Sequence, residues 1–354
     1  MSRSTAQPAP IVVVGSGLSG SLLALAIARR GGTVLLVGPS AADPHGPAVA
    51  TGLSYGGLPA EALPQWRRLE RQHGPLGLAS SRLVVQGWPA GLDRLPPGLQ
   101  ALPTAPVPFG RVDSLRLATA LPGALARAGV GRLPEVVRCL EQRPEGRWRL
   151  IGANGAPIGP EGISTLVLAA GAGCRNLWPA LPRDLRFSWA GVIELEPDLL
   201  PNASKRNGWL RLGMDGAIVR PLRLRRPGLE SEALQISEER WIVDGGLAPR
   251  GAGLLLGQIT LVAPEMDPSS PPDPIAMEQR LRAGLACWDP ELAGLPGRYR
   301  QVPVPYGLSG APLASPVPEA AGLWIFSGFS GSFAVVPPLA EALAERLITW
   351  PTAG

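Results

Sequence analysis

Residues 11–37 read Ile11-Val-Val-Val-Gly-Ser-Gly-Leu-Ser-Gly-Ser-Leu-Leu-Ala-Leu-Ala-Ile-Ala-Arg-Arg-Gly-Gly-Thr-Val-Leu-Leu-Val37, and this stretch decides the fold. Ile11–Val14 is a short β-branched run without a polar residue, the pattern of a strand buried on both faces. Gly15-Ser16-Gly17-Leu18-Ser19-Gly20 follows. Ser21 to Arg30 is rich in Ala and Leu and therefore helical. Gly31-Gly32 ends that helix, and Thr33–Val37 is a second buried strand. Strand, turn, helix and strand within thirty residues form a βαβ unit with parallel pairing.

The turn has the spacing G-x-G-x-x-G. The first Gly permits the tight bend, the second lets the backbone approach a pyrophosphate, and the third lets helix and strand pack closely. The helix N-terminus then directs N–H groups and its positive dipole end at the phosphates. Together these point to a dinucleotide. The carboxylate that ordinarily holds the ribose hydroxyls at the end of the second strand is missing, because that place belongs to Gly38 in Leu-Leu-Val-Gly-Pro. An Arg there would have suggested NADP, and none is present.

Composition narrows the class. In 354 residues, 45% are hydrophobic and 17% charged, a globular balance. The net charge of +5 rests on arginine, since Lys205 is the only lysine. The arginines are scattered, with small clusters at Arg29-Arg30, Arg67-Arg68 and within 222–226, so no nucleic-acid surface is expected. Cys139, Cys174 and Cys287 lie far apart and only two histidines occur, which supports neither a metal site nor a disulfide framework. A reducing, cytoplasmic setting is the expectation. Residues 11–28 carry no charge, but glycines and serines interrupt them and no cleavage pattern follows, so neither a membrane span nor a signal peptide is expected.

Further along, residues 48–57 (AVATGLSYGG) form a small-residue loop. Helices are expected over 64–73, 112–129 (capped by Asp113 or Ser114), 275–287 and about 336–349. Strands are expected at 82–86, 135–140, 148–151, 165–169, 241–243, 254–262 and 322–327, with 89–108 left as loop. Residues 187–262 show strands and turns without a long helix, the pattern of a mostly antiparallel sheet. The pair 241–243 and 254–262 is expected to be joined across a Gly-rich loop.

Four segments in order resemble the D-amino-acid oxidase and glycine oxidase family over almost the whole chain. They are the glycine turn with loop 48–57; Arg111-Val-Asp-Ser-Leu-Arg-Leu, similar to the family's V-D-P-x-x-L; Gly146-Arg-Trp-Arg-Leu-Ile followed by Thr165-Leu-Val-Leu-Ala-Ala-Gly-Ala-Gly; and Gly322-Leu-Trp-Ile-Phe-Ser-Gly-Phe with a helix after it. The resemblance implies an α/β fold, with a Rossmann-like FAD-binding domain and a mostly antiparallel α+β substrate domain. It places the former at 1–85, 110–185 and 300–354 and the latter at 86–109 and 186–299. FAD is the implied cofactor, and a small amine or amino acid the implied substrate, oxidised by hydride transfer to the flavin. The implied cofactor contacts are Gly15, Ser16, Gly17, Leu18, Ser19, Gly20, Gly38, Thr51, Gly52, Val137, Gly171 and the run Gly328, Phe329, Ser330, Gly331, Ser332, Phe333.

In that family an Arg shortly before the last strand clamps the substrate carboxylate, a task suited to a guanidinium fork. Arg300 is the best match and Arg298 the second, with Tyr306 as an alternative lining of the pocket. A family tyrosine on a substrate-domain strand corresponds to Trp241, which makes the pocket more apolar. Phe333 stands where a glycine usually opens the last helix, and crowding at the pyrimidine end of the flavin is the expectation there. Two other readings stay open: a family member that binds flavin weakly or not at all, on the evidence of Gly38 and Phe333, and a flavin domain acting on a modified tRNA base. The sequence is silent on oligomeric state.

Overall fold

The computed structural model describes residues 9–40, 51–86, 109–202 and 208–350. The expected 89–108 loop and the first three residues of the 48–57 loop lie outside them. By contact the chain divides into two compact units, Met1–Val49, Leu121–Leu185 and Ala311–Gly354 on one hand, Ala50–Ala120 and Arg186–Gly310 on the other. Residues 50–85, 110–120 and 300–310 group with the second unit.

The first unit is built on a six-stranded sheet. Its order is Leu313–Pro316, Leu323–Ser327, Leu166–Leu168, Ile11–Val14, Val34–Val37 and Gly131–Leu133. All neighbours pair in parallel except the edge strand Leu313–Pro316. The opening strand is central, with the next strand in sequence on one side and Leu166–Leu168 on the other. That reversal of strand order makes its carboxyl end the switch point at which open α/β sheets bind ligands. Val12 and Val13 are fully buried because helix packing covers one face of the sheet and an antiparallel meander covers the other, which is why the run reads as apolar without alternation. A three-stranded antiparallel meander, Val137–Gln142, Trp148–Gly152 and Pro157–Ile163, packs Trp148, Leu150 and Ile163 into the same core.

Two helix boundaries differ from expectation. The first helix is Leu18–Arg29, so the glycine motif's last residues are already helical. The last helix begins at Ser332 and runs through Pro337 and Pro338 to Thr349. Pro removes a donor from the ladder without ending a helix whose apolar face is held by packing, here Val336, Ala340, Leu343 and Leu347.

The second unit carries a seven-stranded, mainly antiparallel sheet, as expected for 187–262. The path is Arg298–Gly307, Leu185–Leu195, Gly253–Val262, Leu247–Arg250, Ile218–Pro221 and Leu83–Gln86, and Arg240–Val243 also pairs with Gly253–Val262. The expected single loop between 243 and 254 contains the extra strand Leu247–Arg250, so Gly253–Val262 serves two partners in succession. A second, three-stranded sheet places Phe109–Val112 between Gly57–Pro59 and Leu78–Ser80. Of the two capping candidates Asp113 does the work: its carboxylate accepts the Arg116 N–H at 3.1 Å at the start of helix Ser114–Arg127. Among the described residues no helix is long and apolar enough to cross a membrane.

Candidate functional site

Parallel pairing brings the ends of Ile11–Val14, Leu166–Leu168 and Leu323–Ser327 to one edge of the six-stranded sheet. Gly15–Gly20, Gly171 and Gly328–Phe333 follow these strands directly, so the edge collects most of the implied cofactor contacts. Gly15 has φ +118°, and a Cβ there would lie 2.3 Å from the Ala169 carbonyl oxygen. A Cβ at Gly20 would lie 1.8 Å from the Gly15 carbonyl oxygen. Both contacts are backbone against backbone, so the first and third glycines of the motif are sterically obligatory. Gly17 is the N-cap of the first helix, where no side chain caps the turn and no acid stands in it. The last helix starts from Gly331 at φ +66°, again with no side-chain cap and no acid in its first turn. Ser327 Oγ donates to the Gly171 carbonyl at 3.2 Å and ties two of these turns together.

Gly38 has a structural cause. A Cβ there would come within 2.7 Å of both the Ser16 backbone nitrogen and its hydroxyl. The Ser16 hydroxyl donates to the Pro39 carbonyl at 2.9 Å, and Gly38 N–H donates to the Leu133 carbonyl at 3.1 Å. Ser16 therefore occupies the place from which a carboxylate would extend. Phe333, at 4% exposure, has its ring enclosed by protein at the start of the last helix. Phe329 is buried as well, stacked edge-on against Phe326 at 4.6 Å. Val137 opens the first strand of the meander, half-buried, opposite Gly152.

In the second unit, the segment after Thr51 is held by side chains. The Gly52 carbonyl accepts from Arg250 Nε at 2.9 Å and from Ser114 Oγ at 3.1 Å. The Tyr55 hydroxyl donates to the Gly257 carbonyl, and its buried environment, with Asp244 adding to the effect, pushes its titration far above the ordinary range. Gly56 has φ +65° and its carbonyl accepts the Val112 N–H at 2.9 Å.

The three candidate substrate residues divide between the two faces of the large sheet. Strand alternation puts Arg300 and Tyr306 on one face. Their neighbours Tyr299 and Gln301 turn the other way; Gln301 Nε2 donates to the Pro272 carbonyl at 2.7 Å and accepts the Tyr299 hydroxyl at 3.0 Å. Trp241 belongs to that other face, beneath helix Pro274–Ala286: the Arg280 guanidinium sits 5.5 Å from its ring centre, and the helix's Gly284 abuts Val243 two residues on. With 42% exposure, Trp241 is a surface residue that the sheet separates from Arg300. Arg300 is half-buried and makes no hydrogen bond or ion pair among the described residues.

Tyr306, at 1% exposure, lies within a cluster of Leu229, Ala233, Ile236 and Val262. Burial and then the Glu230 charge push its hydroxyl up to about 12, opposed by Arg186 and Arg226. Among the described residues that hydroxyl makes no hydrogen bond of good geometry, although Arg186 stands close enough to act on it. Glu230, buried beside it, accepts from Ser188 Oγ and Arg226 Nε, both at 2.8 Å. Sequence reasoning passed over Ser188, Arg226, Glu230 and Arg250, because only strand pairing between distant segments brings them together.

No protein-family model matches the chain. Solved structures match it along nearly its full length. The iminodiacetate oxidase of Chelativorans sp. BNC1 is 18% identical over 97% of this chain and 96% of its own, with a TM-score of 0.64. The glycine oxidase of Geobacillus kaustophilus is 16% identical over 96% of this chain and 95% of its own, TM-score 0.62. The fructosamine oxidase of Aspergillus fumigatus is 16% identical over 96% of this chain and 86% of its own, TM-score 0.64. These likenesses show that the chain has the fold of these oxidases.

Proposed function

We propose that the protein is an FAD-dependent oxidoreductase that oxidises a small amine or amino acid. The observation that carries this reading is the glycine turn at the switch point, where Gly15 and Gly20 leave no room for side chains and an uncapped, acid-free helix N-terminus follows. A pyrophosphate fits these donors. Gly15–Gly20 would hold it, with Gly171 and Gly328–Phe333 lining the same edge and Thr51 and Gly52 contacting the flavin as the family resemblance implies. The enclosed ring of Phe333 is compatible with a flavin there. When bound, the flavin supplies a two-electron acceptor for the hydride on the carbon next to the substrate nitrogen.

The chain's own residues orient the substrate. Arg300 is a half-buried guanidinium whose donors have no partner among the described residues, suited to a carboxylate by two parallel hydrogen bonds. Hydride transfer needs this alignment more than a catalytic histidine. The domain roles that go with this proposal are the ones the resemblance implies, residues 1–85, 110–185 and 300–354 for the cofactor and 86–109 and 186–299 for the substrate, although 50–85, 110–120 and 300–310 group by contact with the substrate side.

The purified protein tests this directly. A yellow protein with one flavin per chain, releasing peroxide with some member of an amine and amino-acid panel, is the expected result. A side chain at Gly17 would take the pyrophosphate's place, so Gly17→Val is expected to be colourless. Stoichiometric flavin in that variant refutes the placement. A second reading, a repurposed member that binds flavin weakly, is favoured by one observation, the closure of the ribose position by Ser16 against Gly38. A colourless wild type that takes up no added FAD would establish it.

A further inference from the structure

Arg250 ends the strand Leu247–Arg250, just before the tight turn at Gly251. Its side chain reaches back 198 residues to the Gly52 carbonyl. The same guanidinium places Nη2 3.1 Å from Glu194 Oε1, and Glu194 is 7% exposed. Two donors on one guanidinium thus serve two acceptors, a main-chain carbonyl and a buried carboxylate. Only a planar fork does this in fixed geometry; an ammonium is a single point of charge.

The surroundings make Arg250 a rigid post. The hairpin from which it projects is backbone-packed, since a Cβ at Gly253 would meet the Leu195 carbonyl oxygen at 2.3 Å. Glu194 lies in the neighbouring strand, opposite Leu255. Glu194 neutralises a largely buried cation, which leaves Arg250 Nε free to spend its hydrogen bond on a neutral loop carbonyl. Ser114 Oγ shares that carbonyl, and the Tyr55 hydroxyl fixes the loop three residues later. The sheet scaffold therefore grips the start of a small-residue segment whose far end is held by strand pairing of Gly57 with Arg111.

We propose that Arg250, charge-balanced by Glu194, is a positioning residue for segment 51–57, ordering it for the cofactor. This rests on the reading above, in which that segment touches the flavin. In this proposal Arg250 acts through that segment and not by direct contact with flavin or substrate.

The test uses the full-length protein with two variants. Arg250→Met combined with Glu194→Gln removes the grip without leaving a buried carboxylate unpaired. Arg250→Lys keeps the charge and loses the fork. Amide hydrogen exchange is read over 51–57 and over the hairpin 247–262, and FAD affinity and the visible spectrum of bound flavin are measured alongside. In the double variant, exchange over 51–57 is expected to accelerate at least about tenfold and the FAD dissociation constant to rise about tenfold, the scale of one lost charge-assisted hydrogen bond. The hairpin should keep its protection and the flavin spectrum should shift. Arg250→Lys should fall between. Unchanged exchange over 51–57 overturns the proposal, and so does acceleration that the hairpin shares, which would mark Arg250 as merely structural. Looser exchange with unaltered FAD affinity and spectrum overturns the link to the cofactor. A wild type that takes up no FAD overturns the reading of the site instead, and the exchange pattern then decides the grip alone.

Discussion

The carboxyl edge of the six-stranded sheet and the face of the seven-stranded sheet are assembled from different materials. At the edge, contacts are made by backbone: Gly15 against Ala169, Gly20 against Gly15, Gly38 against Ser16. On the face, side chains make them: Glu230 to Ser188 and Arg226, Arg250 to Gly52 and Glu194. A backbone cradle accepts a ligand part that never changes, such as a pyrophosphate. A side-chain surface is altered by single substitutions and so suits the part that differs between substrates. The edge should therefore fail by steric collision and the face by lost polar partners.

The largest effect belongs to the edge. Gly20→Val puts branched carbon where a Cβ alone would be 1.8 Å from a carbonyl oxygen. The expected loss of stability is about 4 kcal/mol, at the extreme of single substitutions because backbone must move. Urea unfolding measures it; an unchanged midpoint would mean that turn and helix can separate freely. Next is Gly38→Glu, which restores the carboxylate usual for a ribose anchor. Because Ser16 fills that space, it should cost about 2 kcal/mol of stability and leave FAD affinity no tighter. Tighter FAD binding would show that Ser16 yields readily and that only evolution's choice of residue, not geometry, removed the anchor.

On the face, Arg300→Leu should raise KM for a carboxylate-bearing substrate by about 2 kcal/mol, the scale of one lost charge-assisted pair, and leave a carboxylate-free amine unaffected. Equal effects on both substrates would remove the clamp from Arg300. The unit that carries this sheet also holds all three tyrosines of the chain, Tyr55, Tyr299 and Tyr306, each with its titration raised above the ordinary 10.0 chiefly by burial. Unfolded tyrosines release their protons near that ordinary value while folded ones retain them. Stability is then independent of tyrosine ionisation below pH 10.0 and falls as pH rises from there toward about 12, where Tyr306 titrates. Ultraviolet titration should detect no phenolate in the native protein at pH 10.0; a titrating tyrosine at that pH would mean that one of the three is open to solvent.

The same contrast explains what could be read from the sequence. The βαβ unit was legible because everything that specifies it lies within residues 11–37, and glycine spacing encodes the backbone collisions directly. For the rest of that sheet, the four motifs implied a Rossmann-like domain through the family resemblance but gave no strand order. The strand Leu247–Arg250 was missed because Gly245, Gly246 and Gly251 flank it and Pro249 interrupts it, so four residues read as loop. Gly38 was legible as a departure but not as a cause, since Ser16 meets it only after two strands pair. Arg250, Glu194 and Glu230 carried no local signal at all: an Arg near a turn and an acid on a strand are ordinary until distant segments join them.

Trp241 gives the finest test of the contrast, because sequence order and sheet geometry disagree about it. The family resemblance puts a substrate-side tyrosine at its place in the chain, yet alternation along Arg240–Val243 turns it under Arg280, while Ile242 packs into the cluster around Tyr306. What Trp241 contributes is then a cation–π contact on an exposed surface, worth about 0.5 kcal/mol. Trp241→Leu should lower stability by that amount and leave kcat/KM within experimental error for every substrate, whereas Ile242→Ala, on the opposite face, should disturb the packing of Tyr306 and change it. If instead Trp241→Leu shifts kcat/KM tenfold and Ile242→Ala does not, the substrate lies on the helix-covered face, and the assignment of Arg300 and Tyr306 falls with it.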